Sequence, residues 1–325
     1  MPSLPTLDVS CFATGAAPTV AQNEVAQLLD ETCRETGFFL ITGHGLSPDV
    51  KAQMLAQAAL FFAEPLARKN AIAIDKSPCH RGYVGIATEA LDETQKGDLK
   101  ETLDTGGEAG PDHPEVLAGT PFFGPNQWPS TAGFRAAWEA YYAQAKEAAL
   151  RVQRAMARAL GKPDDFIVEQ PGETMYHLRF IHYPPQSITP LADNQLGSGV
   201  HTDYGSVTLL ADDGVGGLQV MKRSGEWIAV QVPSDALVVN LGDLMAIWTN
   251  DRWTSNPHRV VNPAFQHRYS IPLFVTPPYH CDIACLDTCL LPGERPKYPV
   301  QKAGDYLNMR ISATHSYRNP LLDGR

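Results

Sequence analysis

The chain has 325 residues, 43% hydrophobic and 19% charged, enough to bury roughly three quarters of the surface it would expose unfolded. Its 36 acidic residues outnumber 26 basic ones for a formal charge of -10, and no Lys/Arg block interrupts that balance, so a nucleic-acid partner is not expected. It shows no apolar run of ~18 residues for a membrane span and no basic secretory start, and its six cysteines are sparse; the expected setting is the cytoplasm, with reduced thiols and a monomer or weak homodimer.

Taken in chain order, VAQNEVAQLLDETCRETG puts Val20, Val25, Leu28, Leu29 and Cys33 near helical spacing and stops at Gly37. GFFLIT follows as a short apolar strand closed by the turn-prone GHG. PDVKAQMLAQAALFFAEP returns to helical spacing through Val50, Met54, Ala58 and Phe61, and ends at Pro65. Residues 75–130 read as loop-rich. Then comes the clearest helix, with Phe134, Trp138, Tyr141, Ala145, Ala149, Val152, Met156 and Leu160 in one stripe and Gly161–Pro163 ending it.

From Met175 the texture changes to short apolar or alternating runs split by Gly, Pro, Asp and Asn: MYHLRFIHYPP, VHTDYGSVTLLA, GGLQVMK, EWIAVQV, ALVVNLGD, HRVVNP and HRYSIPLFV. That density of strands predicts a closed or double-sheet β architecture. AGDYLNMRISATHSY is expected to pack outside as a helix. The expected fold is α+β: a mainly helical region over 1–170, a jelly-roll core over 171–280 and an extension over 281–325 packed on it. No Ser/Gly linker separates these parts, so one cooperative unit is expected.

Residues i and i+2 on a strand share a face, so His201 and Asp203 in HTDYGSVTLL should stand side by side. An inward Asp at the mouth of an apolar strand is costly unless it is paired or bound to a cation; a plain His–Asp hydrogen bond is the ordinary alternative. His258 opens a later strand in SNPHRVVNP. Two histidines and one carboxylate, two close and one distant, form the ligand set of facial iron(II) sites, which leave three positions open. Arg268 and Ser270, again i and i+2, would point into the same interior, where a guanidinium needs an anion and suits a carboxylate. Tyr183 in FIHYPP is a further candidate donor there. In HCDIACLDTC a helix would align Cys281, Cys285 and Cys289, but the spacing fits no common metal motif, and free, partly buried thiols are expected.

In this order, HTDYGSVTLL, GGLQV, NLGDLMAIWTN, NPHRVVNP and RYSIPLF, with YPP upstream and GFFLITGHGL near the start, resemble the isopenicillin N synthase-like family over about Pro5 to Pro278. The resemblance implies a distorted double-stranded β-helix core with iron(II) held by His201, Asp203 and His258. It also implies 2-oxoglutarate anchored by Arg268 and Ser270, with Tyr183 at the family's YP position; dioxygen as co-substrate; and ascorbate as a supporting reductant. Many plant members carry Asn-Tyr-Tyr-Pro where this chain has Ile181-His182-Tyr183-Pro184. The implied activity is a dioxygenase oxidising an unactivated C–H bond of a small organic substrate, releasing succinate and carbon dioxide. An oxidative cyclase that does not use 2-oxoglutarate, an ethylene-forming 2-oxoglutarate oxygenase, and a non-enzymatic small-molecule binder remain alternatives. Arg81, in HRGY, resembles a substrate-facing segment of the family but fits a solvent-exposed loop equally well. Arg179 is the other candidate substrate residue.

Overall fold

Hydrogen bonding gathers the runs after Met175, together with four strands from earlier in the chain, into two principal sheets. The computed structural model describes residues 4–17, 19–91, 97–190, 195–222 and 224–314. Its first strands are β1 (Thr6–Asp8), β2 (Phe38–Thr42), β3 (Gly82–Val84), β4 (Glu101–Gly106), β5 (Met175–Tyr183), β6 (Ser198–His201) and β7 (Val207–Asp212). They continue with β8 (Leu218–Met221), β9 (Trp227–Ala229), β10 (Leu237–Leu241), β11 (His258–Val260), β12 (Arg268–Thr276) and a small pair, β13 (Asp282–Ile283) and β14 (Gln301–Lys302). The helices are α1 (Val20–Glu35), α2 (Pro48–Phe62), α3 (Leu66–Ala71), α4 (Pro114–Leu117), α5 (Phe134–Ala159), α6 (Asp243–Trp248) and α7 (Ala303–Thr314).

The larger sheet has the order β1-β2-β10-β7-β12-β5-β4-β3 and the smaller one β6-β11-β8-β9. Together with the supporting helices they make the expected α+β jelly roll. Strand β12 joins the two halves of the larger sheet, antiparallel to β5 and to β7. Its pairing with β5 lapses at Ile271 and Pro272, where proline has no N–H to donate. One face of β5 is packed from outside by helices; Phe180 meets Phe134 of α5 edge-on at 5.4 Å. Arg268, Ser270 and Phe274 alternate along the other face of β12, which turns toward the jelly-roll interior.

Helix α5 buries the predicted stripe, Phe134 to Met156, against α1 and α2. Thr19 and Gln22 start α1 with a reciprocal capping box. Gly37 follows α1 at φ 62, and a Cβ there would strike the Thr254 carbonyl, so only glycine fits.

Two expectations change. The stretch 75–130, which read as loop, holds β3 and β4, and with β1 and β2 these give the mainly helical region before residue 170 half of the larger sheet. Helix α7 does not merely pack outside: Leu307 and Ile311 reach a central cavity. Among the described residues no helix is long and apolar enough to cross a membrane.

Candidate active site

The three predicted ligands meet. His201 ends β6, His258 begins β11, and the two are register partners across an antiparallel pair that bulges just after His258. Their ring centroids lie 4.2 Å apart. Asp203 Oδ1 sits 3.8 Å from His201 Nε2 and 3.7 Å from His258 Nε2. Asp203 is not on the strand, as the i, i+2 rule required; β6 stops at His201, and the turn after it swings the carboxylate in. The pairing is right and the mechanism differs.

Every other polar atom of the cluster is occupied. Asp203 Oδ2 accepts from Thr208 Oγ1 and from Asn240 Nδ2, both at 2.6 Å. His201 Nδ1 faces the Gly199 carbonyl at 2.8 Å and His258 Nδ1 the Asn256 carbonyl at 3.3 Å. A carbonyl accepts only from N–H, so both rings carry their proton on Nδ1 and present the Nε2 lone pair. Burial and the neighbouring His258 push His201 down to about 3, which keeps it neutral. Burial alone would raise Asp203, but His258 and His201, with the Asn240 and Thr208 hydrogen bonds, hold its carboxyl below the ordinary value. Among the described residues this is the one group of three such side chains close enough to share an ion. Two imidazoles, one carboxylate and no thiolate suit ferrous iron better than a closed zinc site.

Arg268 is fully buried, and its Nη1 lies 3.4 Å from Ser270 Oγ. Its Nε and Nη2 have no hydrogen-bond partner among the described residues. An orphaned guanidinium inside a protein is expensive, and a ligand carboxylate would relieve it. Tyr183, opposite Arg268 in register, lays its ring 4.8 Å from the guanidinium carbon. The contact the structure gives Tyr183 is therefore a face for the cation. Asp212, raised by burial, is the carboxylate whose charge Arg268 partly offsets.

His201 and Asp203 open onto a cavity of about 110 Å³ with an apolar lining that includes Phe122, Phe274, Met175, Leu307 and Ile311. Both candidate arginines line it. Arg81 is buried rather than solvent-exposed; its Nη1 meets His177 Nδ1 at 3.1 Å and its Nη2 donates to the Phe122 carbonyl at 3.1 Å. Its guanidinium lies where a Cβ on Gly106 would stand. Arg179 donates to Asp104 at 2.7 Å and to Glu89 at 3.1 Å. Burial lowers His177 to about 4 despite its hydrogen bond to Asp104. Burial would lift Asp104, but Arg179 and His177 keep it well below the carboxylate range.

Glu89, Asp98, Lys100, Asp104 and His177 escaped the sequence reading. The visible signal was GDLKETLDTG, whose every residue from Asp98 to Gly106 is buried despite its polarity. The cysteine segment is not a helix: Cys281 precedes β13, and Cys289 closes a short 3-10 turn, so the three thiols do not line one face. All six cysteines are unpaired.

Comparison with known proteins gives the same picture. Residues 4–131 match the family described as "non-haem dioxygenase in morphine synthesis N-terminal", and residues 174–277 match the 2OG-Fe(II) oxygenase superfamily. A 2-oxoglutarate-Fe(II) type oxidoreductase of Emericella nidulans is 39% identical over 303 residues, spanning 91% of this chain and 85% of the relative. A homoarginine-6-hydroxylase of Arabidopsis thaliana is 33% identical over 320 residues, covering 93% and 91%. A full-length Neurospora crassa protein, crystallised in complex with alpha-KG and 5-formyluracil, superposes with a TM-score of 0.81 at 29% identity over 96% of each chain. With identity of this order spread along nearly the whole chain, the protein belongs to the isopenicillin N synthase-like superfamily of 2-oxoglutarate-Fe(II) oxygenases and is an iron- and 2-oxoglutarate-dependent dioxygenase.

Proposed function

We propose that His201 Nε2, Asp203 Oδ1 and His258 Nε2 hold the iron(II), and that the far carboxylate of 2-oxoglutarate docks on Arg268 and Ser270 beside the Tyr183 ring. The observation that carries this reading is a three-donor cluster that opens onto an apolar cavity. When bound, iron and 2-oxoglutarate supply the oxidising chemistry, in which dioxygen is consumed, 2-oxoglutarate loses carbon dioxide to become succinate, and a substrate C–H bond is oxidised.

The chain's own residues do the positioning. Thr208 and Asn240 fix the Asp203 carboxylate through Oδ2, so that Oδ1 is the atom left to ligate. The Gly199 and Asn256 carbonyls set the two imidazole tautomers. Arg268 orients the co-substrate by its planar fork. Phe122, Phe274, Met175, Leu307 and Ile311 exclude water from the reacting end. Arg81 and Arg179 face the substrate from the cavity wall, with Arg81 seated on Gly106 and Arg179 held by Asp104 and Glu89. The substrate is a small organic molecule, and hydroxylation is the favoured outcome, since one relative is named as a hydroxylase. The described part of residues 171–280 forms the catalytic core, β1 to β4 from the region before it add half of the larger sheet, and α7 closes over the cavity through Leu307 and Ile311; the net charge of -10 supports a chain with no nucleic-acid partner, acting in the cytoplasm as a monomer or weak homodimer.

The test is anaerobic titration of the protein with iron(II) and 2-oxoglutarate, watching for a weak visible charge-transfer band, followed by succinate release in air. His201→Ala and Asp203→Ala should each abolish succinate release while leaving the thermal unfolding of the metal-free protein within a few degrees of wild type. Undiminished release in either variant would refute the ligand assignment.

A further inference from the structure

A buried chain of charges connects the cavity wall to one of the two candidate histidine ligands and not to the other. Arg179 is paired with Glu89, and Glu89 Oε2 lies 3.1 Å from Lys100 Nζ. The same ammonium donates to Asp98 Oδ2 at 2.6 Å and reaches Ser198 Oγ at 3.4 Å. Asp98 Oδ1 accepts the backbone N–H of Gly199 at 2.8 Å, and the Gly199 carbonyl in turn faces His201 Nδ1 at 2.8 Å. The Lys100, Asp98 and Glu89 side chains are 2–3% exposed.

Among the described residues His258 has no such backing. Its Nδ1 meets the Asn256 carbonyl at 3.3 Å, and the Asn256 amide donates there to the neutral carbonyls of Thr36 and Met221. The difference follows from topology. Strand β6 is the edge of the smaller sheet and pairs only with β11, so the Gly199 N–H looks away from the ladder, where Asp98 takes it up. An edge strand is the part of a sheet freest to shift, and here it carries a ligand. A buried ion pair is weak support for stability but can fix one arrangement among several.

We propose that Lys100 and Asp98 are positioning residues for His201. The Lys100 ammonium holds the Asp98 carboxyl in place through Oδ2, Asp98 Oδ1 clamps the Gly199 peptide, and that peptide's carbonyl sets the azimuth of the His201 ring. This rests on the metal reading given under the proposed function.

The experiment uses the full chain loaded with cobalt(II), in which each coordinated imidazole gives a hyperfine-shifted, exchangeable Nδ1–H proton resonance. The His258 signal is identified by its proximity to the Phe38 ring, whose centroid is 5.3 Å away. Asp98→Asn and Lys100→Met should shift the His201 resonance and speed its exchange with deuterium about tenfold or more, leaving the His258 resonance in place. Cobalt affinity should fall about 10–100-fold, the usual cost of losing an outer hydrogen-bond partner. If Lys100→Met strands its partner and does not fold, the Asp98→Asn/Lys100→Met double variant removes both charges and carries the same expectation. Unchanged His201 signals, or signals from both rings moving together, would overturn the assignment of these residues while leaving the metal site standing. Should the wild-type protein bind cobalt without two exchangeable imidazole resonances, the metal reading falls and takes this inference with it.

Discussion

Replacing Arg268 by methionine separates a ligand seat from a structural cation. The guanidinium is fully buried and has two nitrogens without hydrogen-bond partners among the described residues, so in the absence of ligand its charge is offset only in part, by Asp212 and the Tyr183 ring. Each charge-assisted hydrogen bond to a carboxylate is worth about 1.5–3 kcal/mol, so losing two comes to about 3–6 kcal/mol. At about 1.4 kcal/mol per decade, the 2-oxoglutarate requirement should rise about 10²- to 10⁴-fold. The metal-free protein, by contrast, should unfold at the same temperature or higher, since a shape-matched hydrophobe in place of buried charge is often neutral or stabilising. Asp212, whose carboxyl is already raised by burial, then loses the charge that offset it and takes up a proton more readily. Arg268→Lys keeps the charge but not the fork and should fall between, about 10- to 100-fold. The assay is succinate release against 2-oxoglutarate concentration, paired with calorimetry of the metal-free protein. An unaltered requirement, or a metal-free protein destabilised by several kcal/mol, would show that the guanidinium serves the fold and not the co-substrate.

Gly106→Ala should push the Arg81 guanidinium from its seat and destabilise the chain by about 1–3 kcal/mol, the usual cost of overpacking; in the Arg81→Met background the loss should be smaller, and strict additivity in urea unfolding would contradict the contact. Asn240→Ala should release Asp203 Oδ2 and weaken metal binding about 10–100-fold by anaerobic titration, and unchanged affinity would count against its orienting role. His177 is held at about 4 in the folded chain against roughly 6.5 when unfolded, so the unfolded state binds more protons below neutrality. Its contribution to the stability of the metal-free protein is complete above about pH 6.5 and is lost as the pH falls toward about 4. Urea midpoints measured across that window should fall more steeply for wild type than for His177→Gln, and parallel curves would refute it.

The jelly-roll core was readable because it rests on a short-range rule, and the meeting of His201, Asp203 and His258 was read from their residue types and spacing. Apolar alternation marks β5, β7, β10 and β12, and parity along β12 puts Arg268 and Ser270 on one face. The same parity reached a correct neighbour for His201 by a wrong route, since the Asp203 backbone has already left the strand. What stayed hidden depends on distant partners. Glu101 and Asp104 in β4, with Lys100 just before it, break the hydrophobic pattern there, yet all are buried because Lys69, Arg179 and Glu89 neutralise them from elsewhere in the chain. Polar residues at core positions look like loop until those partners are known. Arg81 was ambiguous for the same reason: nothing local announces that Gly106 leaves a notch for it.

The place of β12 in the larger sheet has a consequence for biosynthesis. The strands β1, β2, β10 and β7 form one ladder and β5, β4 and β3 another, and only residues 268–276 join them. During translation neither ladder can complete the sheet until more than four fifths of the polypeptide has left the ribosome. Each ladder can pair within itself earlier, but the two must wait unjoined with an open edge apiece, a situation that slows folding and invites chaperone capture. The keystone that ends the wait also delivers Arg268, the proposed seat of the co-substrate carboxylate, so a chain stalled before that point would lack both its joined sheet and that seat.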